Sequence, residues 1–98
     1  MSLHAGILKL WLDLPENTSL KGKRQIIQPL IRQLQNRFNL SVAEAEEMDR
    51  WKTAVIGISC ISNSAVVADQ LLNKVLAFVT DGGFDVVIRD FQIEIMAV

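Results

Sequence analysis

A single cysteine and a single histidine in 98 residues remove several kinds of protein at once. Cys60 has no partner in the chain, so no internal disulfide can form and no cluster of thiolates can hold a metal. His4, close to the N-terminus, is too far along the chain from Cys60 to suggest a zinc-type ligand set. No apolar stretch reaches the roughly 18 residues a membrane span needs. The apolar run over residues 5–14 is interrupted by Lys9 and Asp13 and lacks the basic start and small-residue cleavage site of a secretory signal. Phosphate-binding glycine loops and a serine elbow are missing too, as are repeats and low-complexity segments. Excess charge of either sign is also lacking: 10 Lys and Arg against 11 Asp and Glu leave a net charge of −1. That balance argues against an indiscriminate nucleic-acid binder, which carries a broad basic surface.

What is present is a chain that is half apolar and 21% charged, the balance of an ordinary folded domain. Its length suits one domain over residues 1–98, expected in the cytoplasm, without a cofactor. Leu8, Leu10 and Leu12 alternate with Lys9, Trp11 and Asp13, which predicts a half-buried strand over residues 6–14. Ser19 can then cap a helix over residues 20–38, in which Leu20, Ile27, Leu30, Ile31, Leu34 and Phe38 share a side. Pro29 falls on the solvent side of that helix and predicts a bend rather than a break.

Residues 40–47 and 51–62 read as a hairpin turning near Met48–Arg50, with Ala54, Ile56, Ile58 and Cys60 on the inward face of its second strand. Asn63 or Ser64 caps a second helix carrying Ala68, Leu71, Leu72, Val75 and Val79, which Gly82 and Gly83 end. From Phe84 onward Phe91, Ile93 and Ile95 alternate with Gln92, Glu94 and Met96 as a last strand. The order β-α-β-β-α-β predicts an α+β fold of the ferredoxin-like kind, a four-stranded antiparallel sheet with both helices on one face.

Three segments, Ser19-Leu20-Lys21-Gly22-Lys23-Arg24, Arg37-Phe38-Asn39-Leu40-Ser41-Val42-Ala43-Glu44 and Asp49-Arg50-Trp51, resemble in order and spacing the small, uncharacterised bacterial family of YlxP-like domains. The resemblance covers nearly the whole chain. It implies a ferredoxin-like fold and, in many bacteria, a gene placed among those for translation and ribosome maturation. Gly22 stands where a glutamate is common, Glu47 where a histidine is common, and Thr53 where an arginine is common. The missing histidine counts against a catalytic or metal role for the hairpin.

The most unusual local feature is the start of the first helix. Lys21, Lys23 and Arg24 lie in its first turn, where the helix dipole disfavours cations, and Gly22 forgoes the capping box a glutamate would make with Ser19. Cations beside unpaired backbone N–H groups suit a phosphate. Ser19, Lys21, Lys23 and Arg24, with Arg32 and Arg37 further along, are therefore the expected anion- or RNA-binding residues, and a ribosome or structured RNA is the expected partner. The competing reading lays the stems of Lys23 and Arg24 over the core and pairs them with Asp13 or Glu16.

A second surface is the uncovered sheet face. Trp11, Val55, Ile61 and Met96 make it an expected interface for a homodimer or another protein partner, with Lys9 and Glu94 able to pair on it. A regulatory domain with a small anion bound at the helix start is the companion reading. Base stacking on Trp11 is not expected, since no second aromatic occupies the matching positions of the third strand. Glu44 and Glu46 read as like-facing charges that protect an edge strand, Trp51 as the anchor of the hairpin, and Cys60 as an inert buried thiol. No nucleophile has an evident base, so a non-catalytic binding domain is expected.

Overall fold

A computed structural model describes residues 2–98. Its order is β1 (His4–Asp13), α1 (Leu20–Arg37), β2 (Ser41–Glu44), β3 (Thr53–Ser62), α2 (Ala65–Asp81) and β4 (Val87–Ala97). The strands form one antiparallel sheet in the order β2-β3-β1-β4, with β1 paired along its whole length to β3 and to β4.

The period-two pattern of β1 decides which face is covered. Leu8, Leu10 and Leu12 point to the helices and are fully buried, and across the register they meet Ile58, Ile56 and Ala54 of β3. Ile27, Leu30 and Leu34 of α1 and Ala68, Leu72, Val75 and Val79 of α2 close the core over them. Each such side chain contributes about 1.5–3 kcal/mol by leaving water. Cys60 ends the row, and burial pushes its thiol pKa up while a backbone hydrogen bond with Gly6 opposes the shift.

The elements end where local chemistry changes. Ser19 caps α1 with its hydroxyl, and the Phe38 N–H donates to the Leu34 carbonyl at the other end. Ser64 caps α2, and past its end Gly83 takes φ of +74°, a left-handed turn that favours glycine. The two helices are close to their expected spans, but β2 is only four residues, β3 begins at Thr53, and β4 begins three residues after Phe84. Pro29 is half-buried rather than on the solvent side, and α1 runs through it unbroken. Leu20, placed by spacing on the apolar side, is exposed at the first helical position, and Phe91 is half exposed on the edge strand β4.

Between Trp11 and Leu12 the register with β4 shifts, so Arg89 is the extra residue between Ile88 and Asp90. A bulge re-aims the side chain it carries. Here Nε of Arg89 lies 3.4 Å from Asp13 Oδ1. No described helix is long and apolar enough to cross a membrane.

Candidate functional site: the basic outer face of the first helix

The start of α1 is built on Asn17, which is buried in the short link after β1. Its amide Nδ2 donates to the Ser19 carbonyl at 2.8 Å and to the Trp51 carbonyl at 2.6 Å, tying the helix start to the β2–β3 loop. The side-chain oxygen of Asn17 fills the space beside Gly22, where a Cβ would overlap it. Gly22 is thus a matter of close approach. Ser19 Oγ accepts the Gly22 N–H at 2.9 Å, and the Ser19 carbonyl accepts the Lys23 N–H at 3.0 Å. One of the first-turn amides expected to face an anion, that of Gly22, is already occupied.

Lys23 leaves the surface altogether. Only 2% exposed, it puts Nζ 2.9 Å from Glu44 Oε2 and donates to the Glu47 carbonyl at 2.8 Å. This corrects the expectation that Lys23 belongs to an exposed basic cluster. Burial and pairing are as the competing reading had them, but the acid is Glu44, not Asp13 or Glu16. The signal was in the spacing: positions 23, 27, 30 and 34 form one buried stripe. Position on that stripe, not charge, decides where Lys23 goes.

The acidic run is split in the same way. Glu44 is opposite Ile56 on the helix-covered side of β2. The chain then leaves the strand, Glu47 adopts φ of +57°, and Glu46 turns to the other face, where Oε1 accepts from Lys9 Nζ at 2.8 Å. Glu44 and Glu46 therefore do not share a face, and Lys9 pairs with Glu46 instead of Glu94. Lys9 Nζ also lies 4.9 Å from the Trp11 ring centroid. Val55, the partner of Trp11 across β1 and β3, is 0% exposed and offers no area to a partner. Of the expected interface residues, Ile61 is well exposed and Glu94 exposed, while Trp11 and Lys9 are half-buried.

Lys21, Arg24, Arg32 and Arg37 are all exposed, and none is in an ion pair among the described residues. The helix they stand on contains no acid at all; its other polar residues are Gln25, Gln28, Gln33, Gln35 and Asn36. Positions 21, 24, 28, 32 and 35 recur at helical spacing, so Lys21, Arg24 and Arg32 share an outer stripe with Gln28 and Gln35. At 1.5 Å per residue, Lys21 and Arg37 are about 24 Å apart along the axis. Arg37, almost half a turn around the helix from Lys21, lies toward α2, with its guanidinium 5.2 Å from the Phe78 ring centroid and 5.9 Å from that of Phe38. Beside it is an open cavity of about 400 Å³, also lined by Lys74 and Asp81.

The basic surface is thus a stripe along α1 rather than a knot at its first turn. Five of the ten cations of the chain lie on this one helix, four of them exposed and three on its outer stripe. No group of three or more His, Cys, Asp or Glu side chains suited to a metal occurs among the described residues. An acid-free face of cations and amides can accept phosphate oxygens at several points, by charge and by hydrogen bond.

Strand order, antiparallel register and two helices on one face make this a ferredoxin-like α+β domain. The chain belongs to the family described as protein of unknown function (DUF503), which matches residues 5–93. It is 38% identical over 61 residues to a protein of Bacillus subtilis (strain 168) described as uncharacterized protein YlxP, the match spanning 62% of this chain and 66% of that protein. The aligned part is thus just under two thirds of the relative's length. Among solved structures, LarC2, the C-terminal domain of a cyclometallase involved in the synthesis of the NPN cofactor of lactate racemase, matches with a TM-score of 0.50 at 10% identity. That match covers 100% of this chain and 58% of the other, and shows the fold alone. The de novo designed protein Foldit4 matches at 9% identity with a TM-score of 0.47, covering 100% of this chain and 97% of the other.

Proposed function

We propose that this chain is a binding domain that docks onto structured RNA, such as that of the ribosome, through the outer face of α1. The observation that carries this reading is that Lys21, Arg24, Arg32 and Arg37 stand exposed on a helix without a single acid, in a protein of net charge −1. Random scatter of charge would place acids among them, and stability alone would favour acids in the first turn. The stripe from Lys21 to Arg32, about 17 Å long, is matched to several successive phosphates of an RNA strand, with Arg37 at the far end of the helix. Ser19 supports it as the cap that holds the helix start, and Lys23 by anchoring that start to β2.

The test is a comparison of the wild type with a variant carrying Lys21→Gln, Arg24→Gln, Arg32→Gln and Arg37→Gln. Binding to ribosomal particles and to an RNA hairpin at moderate salt should fall at least about tenfold. Unchanged binding would sink the proposal.

A second reading concerns the uncovered sheet face. Its apolar area lies at the end opposite Trp11: Ala5 pairs with Ile61 on one side and Met96 on the other, next to Ile7. Ile7, Met96 and, at 67%, Ile61 are exposed, with Leu3 and Val98 beyond them. Such a patch suits a second copy of the chain. Sedimentation at rising concentration should then show a dimer that Ile61→Lys abolishes; a monomer throughout would remove this reading.

A further inference from the structure

The β2–β3 loop carries a feature that the α1 stripe does not use. Trp51, expected to anchor the hairpin, is 52% exposed. Backbone contacts hold it there instead. Asn17 Nδ2 donates to the Trp51 carbonyl, the Leu14 N–H donates to the Lys52 carbonyl at 2.8 Å, and Lys52 Nζ donates to the Pro15 carbonyl at 2.9 Å. The indole is therefore presented on a fixed backbone, next to the start of α1. Asp49, Arg50, Trp51, Lys52 and Thr53 line an open cavity of about 420 Å³.

We propose that this cavity takes one unpaired base of the RNA whose backbone lies along α1. An exposed indole is a stacking platform for any base, and a flanking Arg and Lys meet the phosphates on either side of it. The Asp49 carboxylate, also in the lining, accepts from a base amino group while repelling a phosphate. Asn17 ties the Trp51 carbonyl to the Ser19 carbonyl at the start of α1, so a paired stem on the helix and a bulged nucleotide in the loop can belong to one RNA. This inference rests on the α1 reading and adds the kind of RNA: a stem interrupted by an unpaired nucleotide.

The experiment uses two labelled RNA hairpins with the same stem, one fully paired and one with a single-nucleotide bulge, titrated with the protein over a range of salt. The bulged hairpin should bind about tenfold more tightly. Trp51→Ala should abolish that preference and leave the salt slope unchanged, and Trp51→Phe should restore part of it. Arg32→Gln should lower the slope and keep the preference. Equal binding of the two hairpins, or a preference that survives Trp51→Ala, overturns the base site while the α1 reading stands. Binding to neither hairpin overturns both.

Discussion

At the scale of single residues, Lys23 shows how position can overrule chemistry. Its stem occupies the first place of the buried stripe of α1, and its ammonium is satisfied by Glu44 and by the Glu47 carbonyl. Truncation to alanine strands the Glu44 carboxylate without its counter-charge and should cost about 3 kcal/mol. Lys23→Met with Glu44→Leu should recover much of that loss; urea unfolding of the two variants measures both. Cys60 makes a pH-dependent prediction. Burial raises its pKa in the folded chain, so the folded state holds the thiol proton to higher pH than the unfolded state does. Its contribution to stability is complete below the ordinary thiol range near pH 8.5 and declines as pH rises through the raised value. Alkylation of the native protein should accordingly stay slow at pH 8 and match a free thiol only on unfolding, which a mass-spectrometric time course reads.

At the scale of elements, the pairing of Asn17 with Gly22 sets how α1 begins. The Asn17 oxygen takes the space a Cβ would need, so Gly22→Ala should destabilise the wild type. With Asn17→Ala in place that overlap is gone and only the Ser19 hydroxyl, 3.1 Å from the added Cβ, must give way, so the same change should cost much less. A double-mutant cycle by thermal melting reads this coupling between Asn17 and Gly22. The elements themselves were legible because Leu8, Leu10 and Leu12 alternate and Ile27, Leu30 and Leu34 recur at helical spacing. Strand ends were less so, since β2 stops where Glu46 and Glu47 leave the sheet through a positive φ that composition does not encode. The candidate site was half legible. Lys21, Arg24, Arg32 and Arg37 could be named from charge alone, but the burial of Lys23 and the exposure of Trp51 depend on contacts between segments about twenty to thirty residues apart.

At the scale of the whole molecule, near-neutral charge is partitioned rather than mixed. The basic half of the account is α1; the acids are elsewhere, with Asp13 and Glu47 meeting Arg89 and Glu46 meeting Lys9. Such a protein gains little long-range attraction to a polyanion, so its binding must depend on direct contacts along one helix. The salt dependence counts those contacts, because each phosphate neutralised adds about 0.7–0.9 to the slope of log K against log salt. The most direct test measures that slope for an RNA hairpin with the wild type, with Arg24→Gln, with Arg32→Gln and with Arg89→Gln, whose arginine stands on β4 and is paired to Asp13 of β1. The account predicts a fall of just under one for each α1 variant and none for Arg89→Gln. Equal slopes for all four proteins would contradict it.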